Sequence, residues 1–288
     1  MMRLILLTCL TMVAFAANSI LNRMAVGAGH IGALEFSLIR VIAGAVMLAA
    51  LVVLSRKSLP IFQARRLWGA FVLSLYLLGF SVAYLQLDAG LGALILFGVV
   101  QVTMFGGALV AGDAVPRRRW IGAGLALAGL IWLMWPGEAF AVPLIASGMM
   151  VLAGVGWGLY SLAGRGAKEP LADTAANFIL AVPMFWLPML FLPVQLDAVA
   201  TTQIGVILAV ICGAVTSGLG YALWYTVLPR LGASAGGLVQ LTVPVIAILG
   251  GVALLGEAVS WRLVGASALV LGGIAYGLVQ RKIGSNGS

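Results

Sequence analysis

The sequence predicts an all-α membrane protein of about ten transmembrane helices arranged as two inverted five-helix repeats. Three observations point there. Of the 288 residues, 63% are hydrophobic and only 8% charged, whereas an ordinary soluble domain carries roughly 25% charged residues. The apolar residues come in long unbroken runs, and the two halves of the chain echo one another in order and spacing. A hydrocarbon core about 30 Å thick takes about 20 helical residues, so the runs are span-sized and their connections short. A membrane β-barrel is excluded, because its strands alternate in polarity over about ten residues. Glycine, at 38 residues, is close to twice its usual ~7% share and suits helices whose backbones approach closely in lipid.

In chain order, the apolar runs place spans at residues 4–21, 31–54, 68–85, 91–111 and 120–135, then 142–163, 175–192, 204–227, 234–255 and 263–279. The first run follows Arg3 and passes Ala14-Phe15-Ala16, the outline of a signal peptide. Asn18, Asn22 and Arg23 continue the same helix, so it is read as a span. Threading the chain this way sorts its 16 Lys and Arg residues. Arg3, Arg56, Lys57, Arg65, Arg66, Arg117, Arg118, Arg119, Arg165, Lys168, Arg230, Arg281 and Lys282 share one side; Arg23 and Arg262 fall on the other, and Arg40 lies inside the second span. The positive-inside rule then predicts that both termini are cytoplasmic; a bacterial inner membrane is the expected location. The net charge of +8 is accounted for by topology, and nucleic acid is not an expected partner.

The internal echo is specific in its order. Leu91-Gly92-Ala93, Val100-Gln101-x-Thr103, Gly112-Asp113 and Gly122 match Leu231-Gly232-Ala233, Val239-Gln240-x-Thr242, Gly256-Glu257 and Gly265 at an offset of about 140 residues. A five-span unit crosses an odd number of times, so its second copy enters the membrane upside down. The charges agree: Arg56, Lys57, Arg65 and Arg66 follow the second span, while the loop after the seventh carries only Asp197. Arg117 to Arg119 are answered by Trp261 and Arg262. Residues 1–137 and 138–283 form the two repeats, with a flexible tail at 284–288. Two such halves can exchange conformations around a mid-membrane site, the design of a secondary transporter.

The run Gly220-Tyr221-Ala222-Leu223-Trp224-Tyr225, with Leu231, Pro244, Leu255-Gly256-Glu257 and Gly265 to Gly272-Gly273, resembles the signature half of the drug/metabolite transporter superfamily, EamA type. Arg40, Gly112-Asp113 and the helix from Gly122 to Gly129 match less fully in the first half. The resemblance covers almost the whole chain and implies ten helices, two inverted repeats and export of small metabolites. Length and aromatic content look like those of the YddG-type aromatic amino acid exporters. Where the family pattern has Glu before the proline of span nine, this chain has Val243.

Arg40 lies about ten residues into its span, roughly 15 Å along the helix, and a guanidinium at that depth is either a functional group or a structural clamp. Three stripes carry rings on one helical face each: Tyr221, Trp224 and Tyr225; Trp157, Tyr160 and, with them, Ser161; Tyr76, Phe80 and Tyr84. Such rings either join the interfacial belt or line a cavity for a flat ring or an ammonium. The amides of Asn18, Asn22, Gln86, Gln101 and Gln240 read as interhelical hydrogen bonds or as contacts to a zwitterion. Gly154-x-x-x-Gly158 reads as close helix packing, Pro183 and Pro188 as kinks in span seven, and Asp113 and Glu257 as helix caps. With no Asp or Glu near the centre of any span, facilitated export or exchange is expected rather than proton coupling.

Cys9 and Cys212 both sit in apolar runs and read as buried thiols. A single histidine, His30, and the lack of a Walker-type loop argue against an enzyme, a metal site, a cofactor or ATP-driven pumping. The expected substrate-binding set is Asn18, Arg40, Tyr84, Gln86, Trp157, Tyr160, Tyr221, Trp224 and Tyr225, acting in a monomer on amino acids with aromatic or apolar side chains. Export of lipophilic cations or other small metabolites is the alternative expectation.

Overall fold

A computed structural model describes residues 2–61, 63, 65–112, 116–135, 143–163, 169–191, 199–224, 226–227, 230 and 239–278. Among them every regular element is helical. Helix α1 (Met2–Asn22) passes straight through Ala14 to Ala16 and runs on into a wider, π-helical turn at Arg23–Gly27. It is followed by α2 (Ala33–Leu54), α3 (Arg65–Ala83), α4 (Ala89–Val110), α5 (Arg117–Met134), α6 (Leu144–Ala163) and α7 (Pro170–Phe191). Helix α8 (Gln203–Ile211) continues as a π-helical stretch at Cys212–Leu219, and α9 (Thr242–Leu255) and α10 (Trp261–Leu278) are the last helices among the described residues.

Among the described residues, six helical stretches are long and apolar enough to cross a membrane: Met2–Gly27, Ala33–Leu54, Arg65–Ala83, Ala89–Gly107, Leu144–Ala163 and Gln203–Trp224. Leu171–Phe185, Thr242–Leu255 and Trp261–Gly277 are shorter apolar helices. The outward faces are apolar as well. Leu6, Val46, Leu54, Ile145, Leu249 and Leu254 are all exposed, an arrangement that suits hydrocarbon and would be an aggregation hazard in water.

Where hydrocarbon surrounds the bundle, burial of apolar surface gives little preference for helix against helix over helix against lipid, and close backbone contact becomes the main source of packing energy. The glycines supply it. Gly154 and Gly158 of α6 lie against Val99 and Thr103 of α4, while Gly156 meets the backbone of α3, where an added Cβ would stand 2.9 Å from the Tyr76 nitrogen. Gly79 of α3 returns the contact, 2.7 Å from the Met149 carbonyl by the same measure. The G-x-x-x-G run therefore packs as its sequence implied. Gly122 and Gly273 play the same part between α5 and α10, and Gly213 of α8 lies directly on the Arg40 carbonyl of α2.

The packing follows a five-helix step. Helix α6 rests on α3 and α4 as α1 rests on α8 and α9, and α7 meets α3 as α2 meets α8. The pairs α2 with α7, α4 with α9 and α5 with α10 close on themselves under the same step. Helices α4 and α9 also end alike: Gly112 and Gly256 adopt positive φ values of 76° and 67°, a left-handed turn that terminates a helix and costs a residue with a Cβ.

Gly122→Ile should drive a side chain into the carbonyl of Gly273 and part α5 from α10, costing about 1–3 kcal/mol by overpacking. Gly124→Ile, two residues away with open space at its Cβ position, should be near neutral. Thermal unfolding of the detergent-solubilised protein, followed by intrinsic fluorescence, distinguishes the two.

Candidate functional site

Helix α2 carries Arg40 into the middle of the bundle, where its side chain is 0% exposed. Holding a guanidinium in such a place costs several kcal/mol unless its donors are satisfied. Nε donates to the Ser217 hydroxyl at 3.2 Å, and Nη2 donates to Asn18 Oδ1 at 3.1 Å and to the Tyr76 hydroxyl at 3.3 Å. Its Cζ lies over the rings of Phe80 and Tyr76, 5.1 and 5.6 Å from their centroids, a favourable arrangement of charge over π-electrons. Every partner is neutral. Among the described residues no carboxylate pairs with Arg40, and its Nη1 has no hydrogen-bond partner.

Asn18 of α1 organises the other side of this cation. Its Oδ1 accepts from Thr216 Oγ1 at 2.7 Å, Ser217 Oγ at 3.2 Å and Cys212 Sγ at 3.3 Å, besides Arg40. Three of those donors lie on the π-helical stretch of α8. An α-helix would not turn residues 212, 216 and 217 toward one acceptor so readily; the wider turn does, and π-helical insertions recur at functional sites. Gly213 allows the approach, because its bare backbone lies on that of Arg40.

Beside the cation lies a cluster of rings from five helices. Tyr76 of α3 meets Trp157 of α6 at 4.9 Å between centroids, and Trp157 stacks on Tyr221 beyond α8 at 5.1 Å and on Tyr160 at 5.6 Å. Phe15 of α1 packs on Tyr221 and Trp224 at 5.9 and 5.8 Å, and Phe178 of α7 on Tyr221 at 6.0 Å. Trp157, Tyr160, Tyr221 and Trp224 are all buried, so these stripes face inward rather than joining an interfacial belt. A charge, a fan of hydroxyls and a wall of rings thus share one locus.

Other expected residues lie elsewhere. Tyr84 is buried nearer the far end of α3, its ring edge-on to Phe80 at 4.7 Å and its hydroxyl donating to the Ala89 carbonyl at 3.3 Å. Gln86 is exposed in the α3–α4 connection, away from the centre. Asn22 donates to Ser81 at 3.0 Å, Gln101 is half-buried on α4 and Gln240 is buried just before α9. Tyr225 and Asp113 lie outside the described residues. Cys212 is buried as expected, whereas Cys9 is exposed on the outer face of α1. Thr216 and Ser217 join the site without having been singled out by sequence, and Cys212, expected only as a buried thiol, joins them; the Thr-Ser pair between Gly213 and Gly218 was the one visible signal.

Charged groups gather at both ends of α3. At its last turn, Arg23 donates to the Tyr84 and Leu85 carbonyls, each at 3.2 Å, and lies 3.5 Å from Asp88 and 3.9 Å from Glu257. Glu257 in turn accepts the backbone N–H of Ala89 at 2.7 Å, so an acid from the second half caps α4 of the first. Partial burial raises the Glu257 carboxyl above its ordinary value, as does neighbouring Asp88, while the Ala89 N–H and Arg23 pull it back. At the opposite end, Arg66 of α3 pairs with Asp173 of α7, both buried, and Lys57 pairs with Glu169 at the surface.

Fold and centre together define a multi-pass helical membrane protein with a buried polar centre beside a cluster of buried rings. The chain belongs to the EamA-like transporter family, within the drug/metabolite transporter superfamily; the model of that family matches residues 144–278. An uncharacterized protein of Pseudomonas aeruginosa is 47% identical over 280 residues, covering 97% of this chain and 96% of its own. A solved crystal structure of a protein shares the fold with a TM-score of 0.67 at 21% identity, covering 97% of this chain and 99% of that one. Family membership makes this a membrane transporter of small molecules.

Because the Glu257 carboxyl titrates above its ordinary 4.5, the folded protein binds this proton more tightly than the unfolded chain. Its contribution to stability is therefore full below that value and is lost as pH rises through the raised one. Glu257→Gln, which keeps an acceptor for Ala89, should flatten the fall in unfolding temperature across that window. An unchanged pH profile in the variant would assign the dependence to another group.

Proposed function

We propose that this transporter exports amino acids with aromatic or apolar side chains across a bacterial inner membrane, by alternating access through a central site. One observation carries the reading: a fully buried Arg40 whose partners are all neutral and whose Nη1 is unpartnered, set against a cluster of buried rings. A cargo carboxylate completes the hydrogen bonding of that guanidinium and supplies the charge it lacks. Trp157, Tyr160, Tyr221 and Trp224 then pack against the side chain, and ring faces attract the ammonium.

The five-helix step in the packing and the matching ends of α4 and α9 support ten spans in two inverted repeats, 1–137 and 138–283, rocking about the centre. The segregation of basic residues supports cytoplasmic termini. We read the working unit as a monomer.

The test is counterflow of labelled amino acids, a sugar phosphate and a quaternary cation through purified protein in liposomes. Phenylalanine or tryptophan should exchange and the quaternary cation should not; the reverse result favours multidrug export. Trp157→Ala should weaken aromatic cargo about tenfold more than alanine, as loss of a stacked ring of roughly 1.5 kcal/mol implies. Asn18→Asp decides the role of Arg40. A resident carboxylate beside the guanidinium should raise the unfolding temperature while suppressing counterflow, because it competes with the cargo. A variant that transports normally would make Arg40 a structural clamp.

A further inference from the structure

The buried pair at the N-terminal end of α3 has more polar atoms than its own contacts use. Arg66 and Asp173 are 6% and 7% exposed and bonded to each other through Nη2 and Oδ1. Arg66 Nε and Asp173 Oδ2 have no partner, and neither has Oδ1 of Asn177, which is itself 7% exposed. Asn177 follows Asp173 by one helical turn on the same face of α7. Its amide lies over Gly69 of α3, where an added Cβ would stand 2.8 Å from both its oxygen and its nitrogen. Gly69 in turn follows Arg66 on α3, so the three residues that carry the orphaned atoms lie along a single α3–α7 seam.

The seam leads to the centre. Asn177 Nδ2 donates to the Tyr160 hydroxyl at 3.4 Å, Tyr160 stacks on Trp157, and Trp157 meets Tyr76, which holds Arg40. One hydrogen bond and a run of stacked rings thus lead from Asn177, one turn from Asp173, to the cation of the candidate site. Asp173 is the acidic side chain that the described residues bury, and it lies in the first turn of α7 rather than at mid-helix.

We propose that Arg66, Asp173 and Asn177 form a second binding station for the zwitterionic head of an amino acid on its way between the centre and the membrane surface. The inference rests on the amino acid reading above. The three orphans match that head group: a guanidinium edge for a carboxylate, and two acceptors, Asp173 Oδ2 and Asn177 Oδ1, for an ammonium. An arriving zwitterion exchanges one ion pair for two, with the carboxylate on Arg66 and the ammonium on Asp173, so the seam parts without leaving either charge bare. The two stations differ in what they require. Arg40, with no carboxylate beside it, reads the anionic end; the α3–α7 station reads both ends.

The test is inhibition of labelled phenylalanine counterflow by 3-phenylpropionate, which lacks the ammonium, and by phenethylamine, which lacks the carboxylate. Wild-type protein in liposomes should be inhibited weakly by either. Asp173→Asn should lower the preference for phenylalanine over 3-phenylpropionate about tenfold, the effect of losing one charge-assisted contact. The double variant Arg66→Asp with Asp173→Arg retains an ion pair but puts the guanidinium on α7 beside Asn177; it should remain monodisperse and lose counterflow. If Asp173→Asn slows all cargo equally, or the exchanged pair transports as wild type, the pair is only a latch and the station is overturned. Absence of amino acid counterflow in the wild type overturns both this station and the amino acid reading, whereas wild-type counterflow with unaltered discrimination in Asp173→Asn overturns the station alone.

Discussion

A guanidinium buried among neutral partners constrains this molecule more than any other group. Arg40 cannot reach water, and the cost of placing it at the centre is offset by three acceptors from three other helices and by two ring faces. Each of those groups has to arrive from a different part of the chain. Asn18 must face inward on α1, Tyr76 and Phe80 must lie on one side of α3, and Ser217 must be turned round by the π-helical stretch of α8. The centre is polar because Arg40 is there, and the helices around it are arranged to satisfy it.

Close approach is what makes this possible. A side chain at position 213 would strike the Arg40 carbonyl and hold α8 away from α2, leaving Ser217 and Thr216 short of their partners. The same economy recurs at Gly44 against Phe178 and along the faces of α6. In lipid, contacts of this kind supply the packing energy that burial supplies in water. Abundant glycine and a buried polar centre are therefore two aspects of one arrangement.

Helix ends are tied across the chain rather than within each helix. Glu257 caps the start of α4, Arg23 covers the last carbonyls of α3, and Arg262 donates to the Trp132 and Trp135 carbonyls where α5 ends. Arg23 and Arg262 are the two basic residues that charge segregation leaves on the sparse side. Their role there is specific: each places a cation at a helix C-terminus, where the dipole and the unsatisfied carbonyls favour it. The carboxylate of Glu257 does the converse at an N-terminus.

Composition and apolar run length determined the helical, membrane-embedded character of the chain, because lipid admits few other ways to satisfy a backbone. The G-x-x-x-G packing of α6 and the inward placement of Arg40, Trp157, Tyr160, Tyr221 and Trp224 were legible for a similar reason: each follows from local spacing or from the cost of a charge in hydrocarbon. Glu257 was legible as a cap, but the helix it caps, α4 of the other half, was not. Tertiary structure decided which helices meet. It brought Asn18 to Arg40 but left Gln86, with the same amide group, exposed, and Tyr84 at the end of α3. It also recruited Cys212, Thr216 and Ser217 through a π-helical turn, and it buried Asp173 against Arg66. Hydrogen bonds between residues more than a hundred positions apart, and a change of helical pitch that depends on its neighbours, leave no periodic trace in a sequence.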